Sequence, residues 1–194
     1  MSGVTNSDAL NPAVASKAHR HRRLLEWIVI IVVALAVSWL VRGYAFQTFY
    51  IPSGSMLPTL QPGDRIVVNK ISVELGSVHT GDIVVFKSPA LVATKCGAND
   101  SDLIKRVIGV PGDLLSTRGN TIFVNGRALV EYWPHSEPLG PAITPLRIPA
   151  NSYFVMGDNH SNSCDSRYWG LLPRQNILGK AFIRIWPIGR LHWF

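Results

Sequence analysis

Apolar positions fall along this chain in two regimes. From Leu24 to Val41 the residues LLEWIVIIVVALAVSWLV run hydrophobic, broken only by Glu26. In a helix that run rises about 27 Å, close to the roughly 30 Å hydrocarbon core of a bilayer. Trp27 and Trp39 stand near its ends, where aromatic rings anchor at an interface, and Arg42 can snorkel. The run exceeds the core of a typical cleaved secretory signal, and no clear small-x-small site follows it. The next residues, Gly43-Tyr44-Ala45-Phe46-Gln47, are bulky. An uncleaved single-pass anchor over 24–41 is therefore expected.

Beyond the anchor no long stretch keeps a 3.6-residue apolar period. Short β-branched and aromatic runs, separated by Gly, Pro, Asn and Asp, predict strands at Ala45–Ile51, Arg65–Lys70, Asp82–Phe86, Asp102–Ile108, Asp113–Ser116, Thr121–Val124, Arg127–Leu129, Tyr153–Met156 and Lys180–Trp186. Asn125-Gly126 between two of these predicts a two-residue hairpin, because both residues tolerate positive φ. Five prolines between Trp133 and Pro149 predict an extended excursion with few ladder bonds. The expectation is an all-β, antiparallel domain over residues 42–194, large enough for its own core. Residues 1–23 form a basic tail, in which 1–16 lack any periodicity and read as disordered.

The net charge of +7 is unevenly placed: residues 1–23 hold Lys17, Arg20, Arg22 and Arg23 against Asp8. By the positive-inside rule this cluster keeps the N-terminus cytoplasmic and residues 42–194 outside. Anionic lipid headgroups account for the excess charge, and no arginine–aromatic array marks a nucleic-acid groove. Cys96 and Cys164 suit an oxidising compartment, and nothing resembles a zinc site. A bridge between them and two free thiols both remain open; a bridge would tether the Cys164 loop near the residues discussed next.

Ser55 lies in Pro52-Ser53-Gly54-Ser55-Met56-Leu57-Pro58-Thr59, and Lys105 lies among Leu103, Ile104, Val107 and Ile108. A serine hydroxyl needs a neighbouring base, and a desolvated amine can be that base. Apolar neighbours penalise the ammonium form and favour the neutral amine. The pair points to a hydrolase built on a Ser-Lys dyad and held at a membrane.

Four motifs in order extend this reading: Ser53-Gly54-Ser55-Met56-x-Pro58-Thr59-Leu60, Gly81-Asp82-Ile83-Val84-Val85-Phe86, Lys105-Arg106-Val107-Ile108-Gly109-x-Pro111-Gly112-Asp113, and Gly157-Asp158-Asn159 followed by Asn162-Ser163-x-Asp165-Ser166-Arg167-x-Trp169-Gly170. With them the chain resembles a type I signal peptidase from the anchor onward. The resemblance implies a single-pass protein of a bacterial plasma membrane that cleaves preproteins after small-x-small sites through an acyl-enzyme, without metal or cofactor. It implies Ser55 as nucleophile, Lys105 as general base and then acid, and Ser53 as an oxyanion donor beside the Ser55 N–H. It further implies that Ser163 orients the lysine amine and that Asp165 and Arg167 form a supporting pair.

Where the family often has Arg-Asp after Gly-Asp-Asn, this chain has His160-Ser161, which leaves open a Ser55-His160-Asp158 triad. By motif position Phe49, Ile51, Met56, Leu60 and Ile104 are expected to line two shallow pockets beside a strand edge that takes the peptide by β-augmentation. Core packing is their alternative role. Phe46, Phe49, Tyr50, Trp186, Trp193 and Phe194 are candidates for the lipid interface, with Trp186 equally placed for the core. His79, His135 and His192 read as surface or interfacial. The partners expected are preprotein signal peptides, the bilayer and the secretion translocase. Two rival functions remain: a dedicated peptidase for a narrow class such as pilin precursors, and a silent anchored binding module.

Overall fold

The computed structural model describes residues 12–97, 101–136 and 138–194, with side chains for all of these except 12–22, 24 and 40–42. The chain divides after Gly43 into two units. In the first, helix α1 runs Pro12–Ala45, and its segment Leu25–Ala45 is long and apolar enough to cross a membrane. A helix is what such a segment must form in hydrocarbon, where every backbone group needs an internal partner. The helix starts before the expected tail ends, so residues 12–16 are helical rather than disordered. Residues 1–11, and the snorkelling of Arg42, lie outside what is described.

The described residues of the second unit, Tyr44–Phe194, form twelve strands. They are β1 (Phe46–Tyr50), β2 (Arg65–Asn69), β3 (Ile83–Lys87), β4 (Asp102–Gly109), β5 (Leu114–Arg118), β6 (Thr121–Val124), β7 (Arg127–Ala128), β8 (Leu146–Arg147), β9 (Ser152–Met156), β10 (Leu172–Pro173), β11 (Ile177–Trp186) and β12 (His192–Trp193). The larger sheet has the order β1-β2-β11-β3-β4-β9-β10, with β12 beside β11; the smaller is β7-β6-β5-β8, and every paired ladder in both is antiparallel. The all-β expectation holds, and the nine expected strands are all present within a few residues. The β6–β7 turn is the Asn125-Gly126 hairpin, with φ of 52° and 79°.

Strand β3 explains why the larger sheet is buried on both faces. Val84 and Phe86 enter one core with Val107, Val155, Trp169 and Leu172, while Ile83 and Val85 enter a second with Ile51, Met56, Leu60, Ile66 and Ile104. A two-residue period sends alternate side chains to opposite faces. A third core, around Ile108, Leu115, Ile122, Trp133, Ile148 and Phe154, joins the two sheets.

Helices α2 (Ile71–Glu74), α3 (Ala90–Cys96) and α4 (Ser166–Trp169) were not expected; runs of four to seven residues are too short to show a helical period. Helix α3 ends on Gly97, left-handed at φ 63°, and α4 begins at Asp165, whose carboxylate accepts from the Arg167 N–H. Cys96 and Cys164 are joined, with Cα atoms 6.0 Å apart, which settles the open alternatives and ties α3 to the segment before α4.

Candidate active site

The turn between β1 and β2 is closed at its base by Ile51 N donating to Asp64 O (3.0 Å) and Gly63 N donating to Ile51 O (2.9 Å). Met56 and Leu60 plug it into the second core with no exposed surface. Asp64 is buried and accepts from Gln61 N (2.9 Å) and Arg190 Nη1 (2.8 Å), while Arg184 Nη1 donates to Thr59 O (2.6 Å). Burial and then the nearby Arg190 lower the Arg184 pKa, opposed by Asp64. Ser55 thus stands half-buried on a turn braced from the C-terminal strands.

Lys105 comes from β4, opposite Val84 of β3, and is 4% exposed. Its Nζ donates to Ser55 Oγ at 2.6 Å. Ser53 is exposed, its Oγ 3.4 Å from Ser55 Oγ. Ser163 is buried against Gly157, where an added Cβ would lie 2.4 Å from Ser163 Oγ and 2.3 Å from Ser55 O. Among the described residues Ser163 Oγ has no hydrogen-bond partner, so the expected bond to the lysine amine is not formed.

Asp165, fully buried, accepts from Arg167 Nε (2.8 Å) and Nη2 (2.7 Å) and from Gly157 N (3.1 Å). Arg167 also donates to Leu139 O and to Ser163 O. A forked pair of this kind is geometrically specific as well as strong, and here it links the Ser163 segment to Gly157.

Thr59, Arg106 and Asn159 carried no expected role, yet the fold uses all three. Arg106 Nε and Nη2 donate to the two Asp158 oxygens at 2.8 and 2.7 Å, Thr59 Oγ1 donates to the same carboxylate, and Arg106 Nη1 donates to Gly81 O (2.8 Å). All four motifs meet through these contacts. Asn159 donates from Nδ2 to Gly54 O (3.0 Å) and from its backbone N to Ser55 O (3.1 Å). The available signal was Arg106 itself, since an arginine inside an apolar strand needs an acid partner.

The triad alternative is not formed: Ser55 Oγ is bonded by Lys105, and among the described residues His160 Nδ1 has no hydrogen-bond partner while its Nε2 faces Glu131. His160 is buried, stacks on His135 at 5.1 Å between ring centroids, and has Nε2 3.6 Å from Glu131. Burial first, then Arg167 and His135, hold its pKa down at about 4, against the opposing pull of Asp158 and Asp165. His135 is half-buried rather than a surface residue, while His79 and His192 are exposed.

Phe49, Ile51 and Ile104 line one cleft of about 200 Å³, together with Pro52, Val85 and Leu103. Met56 and Leu60 are instead wholly buried in the same core as Ile51 and Ile104. The cleft takes residues from β1 and β4, which have three strands between them in the sheet order, so the sheet curls to bring them together. The β9 ladder meets β4 from Arg106 onward, and Asp102–Ile104 lie beyond it. Elsewhere Phe46, Phe182 and Trp193 form a chain of ring contacts at 5.5 and 5.8 Å, and Tyr50, Trp186 and Trp193 are more than half exposed (62%, 51% and 66%), which removes Trp186 from the core.

Residues 24–186 match the family model described as signal peptidase, peptidase S26. The chain is 39% identical over 177 residues to signal peptidase I of Leptolyngbya laminosa, an alignment covering 91% of this chain and 87% of that one. It is 34% identical over 229 residues to signal peptidase I of Pseudomonas aeruginosa, covering 91% and 78% respectively. A crystal structure of a signal peptidase I from Enterococcus faecalis aligns at a TM-score of 0.44 and 29% identity, over 54% of this chain and 96% of that chain.

Proposed function

Because the chain belongs to the signal peptidase family, peptidase S26, we propose that it is a membrane-associated serine endopeptidase that removes signal peptides from preproteins, with Ser55 as nucleophile and Lys105 as its base. The observation that carries this is the 2.6 Å contact between Lys105 Nζ and Ser55 Oγ inside a buried setting. A general base must lie within about 2.6–3.2 Å of the proton it takes. With the amine neutral, Nζ receives the hydroxyl proton as Oγ attacks the scissile carbonyl. The ammonium then returns that proton to the leaving amine, and water resolves the acyl-enzyme by the same route.

The Ser55 N–H and the Ser53 hydroxyl stabilise the developing oxyanion; one such donor is worth about 10²–10³ in rate in a known protease. Rotation of the exposed Ser53 side chain brings its hydroxyl from the Ser55 Oγ toward that position. Ser163 supports Lys105 once the buried Oγ turns from Gly157, and Asp165 with Arg167 holds its backbone. The peptide lies extended along the edge of Asp102–Ile104, with its small residues against Ile51, Phe49 and Ile104. A shallow cleft accepts Ala and rejects larger side chains, which is the A-x-A rule in physical form.

The apolar segment in Leu25–Ala45 anchors the chain with its basic tail in the cytoplasm of a bacterium, and the catalytic unit faces outward. The exposed rings of Phe46, Tyr50, Trp186 and Trp193 then rest among lipid headgroups, where the signal helix ends and the translocase delivers it. The test is cleavage of an Ala-x-Ala preprotein by wild type, Ser55→Ala and Lys105→Ala in liposomes. Loss of turnover in both variants, with folding intact, is expected. A Lys105→Ala enzyme that still cleaves would end the dyad reading, and a wild type inactive on several preproteins would favour a dedicated substrate or a binding module.

A further inference from the structure

Asn159 touches the nucleophile turn at two points, and both are carbonyls flanking the reacting serine. Its Nδ2 donates to Gly54 O at 3.0 Å and its backbone N donates to Ser55 O at 3.1 Å. A peptide group is planar, so its N–H points opposite to its C=O. Gripping Gly54 O therefore fixes the direction of the Ser55 N–H, and gripping Ser55 O fixes the next peptide plane. Together the two planes set φ and ψ at Ser55, and with them the origin from which its Oγ projects.

The Asn159 amide is itself oriented. Ser136 Oγ donates to Oδ1 at 3.0 Å and Ser161 Oγ donates to it at 3.3 Å, which leaves Nδ2 facing Gly54. Ser136 belongs to the proline-rich excursion and is docked by its own N–H on Asp158 O at 2.8 Å. An aspartate at 159 would have the same shape but only acceptors, and would set one against the Gly54 carbonyl. An accepted hydrogen bond also polarises the Gly54–Ser55 peptide and strengthens its N–H as a donor.

We infer that Asn159 is a positioning residue for the oxyanion donor, holding the Ser55 N–H in line through Gly54 O, with Ser136 holding Asn159 in turn. The inference rests on the dyad reading, since it needs Ser55 as the attacking group. It concerns the transition state and not the peptide cleft, because Asn159 is not among the residues lining that cleft.

The experiment compares wild type, Asn159→Asp and Ser136→Ala in detergent, measuring kcat and KM on an Ala-x-Ala peptide. It also measures Ki for the corresponding peptide aldehyde, whose Ser55 adduct carries an oxyanion, and binding of the cleaved product peptide. For Asn159→Asp a fall in kcat of about 10² is expected, the cost of a misplacement near 1 Å, with KM within twofold. Aldehyde affinity falls in parallel and product affinity stays. Ser136→Ala gives a smaller loss with the same split, and serves if Asn159→Asp melts early. A loss carried by KM, or an aldehyde Ki within twofold of wild type in both variants, overturns the inference. Ser55→Ala and Lys105→Ala run alongside: if either keeps turnover the dyad reading fails first, whereas if both are dead and Asn159→Asp is not, only the role of Asn159 falls.

Discussion

Replacing Gly157 by alanine tests how tightly the serine turn is set against the Gly-Asp-Asn segment. A Cβ there would lie 2.3 Å from Ser55 O, 2.4 Å from Ser163 Oγ and 2.7 Å from Ser163 Cβ, where ordinary contact begins at 3.4 Å. The Ser163 hydroxyl can rotate aside, but its Cβ cannot, and Ser55 O is backbone and is held by Asn159 N. Gly157 cannot retreat freely either, since its N–H is bound to Asp165 and it directly follows β9. About 1 Å of separation must be found by moving Ser55, and a 1 Å misplacement of a reacting group costs on the order of 10² in turnover. Overpacking adds about 1–3 kcal/mol of instability, roughly 2–12 °C in Tm for a unit of this size. Gly157→Ala should therefore show kcat on an Ala-x-Ala peptide down about 10²-fold, with most of the protein still folded at the assay temperature by circular dichroism. A variant within threefold of wild-type kcat would mean that the turn yields, and the rigid-turn account would be wrong.

Three further outcomes are expected. Cys96→Ser with Cys164→Ser opens a 68-residue span and should cost about 4 kcal/mol on a chain-entropy basis, read as a large drop in Tm; a change under 2 °C would refute that contribution. His160, neutral when folded, has a pKa of about 4 against 6.5 in the unfolded chain, so the unfolded state takes up the proton first as pH falls. Stability present above pH 6.5 is then lost down to pH 4, by roughly 3 kcal/mol in total, and His160→Asn should flatten the Tm–pH curve in that window; parallel curves would contradict the assignment. Ile51→Ala should enlarge the cleft and admit bulkier residues before the cut, at a stability cost of about 2–5 kcal/mol for a core position; an unchanged cleavage preference would take Ile51 out of the pocket.

Much of the architecture was legible because its signals are local. Period-two runs marked the strands, Asn125-Gly126 marked the hairpin, and the long apolar run marked the long helix. Ser55 and Lys105 were legible as motif residues, and their meeting across 50 positions is geometry that motif order implied. What escaped was relational. No pattern in the sequence says that Arg106, one residue past the lysine, reaches Asp158 on another loop, or that Asn159 bridges 105 residues back to Gly54. The pocket residues split for a similar reason: Phe49, Ile51 and Ile104 border open space while Met56 and Leu60 do not, and apolarity alone carries no direction. The short helices at 71–74 and 166–169 hold one turn each, less than one period of the pattern that would have revealed them.

Strand β11 lies between β2 and β3 although it is made long after both. Until residues 177–186 have emerged, the strand next to the serine turn and the strand next to Lys105 have no common neighbour. Before that, no continuous ladder joins the two halves of the dyad. Such a topology ties the ordering of the site to one late ladder: only with β11 in place do the strand leading from the serine turn and the strand beside Lys105 belong to one sheet.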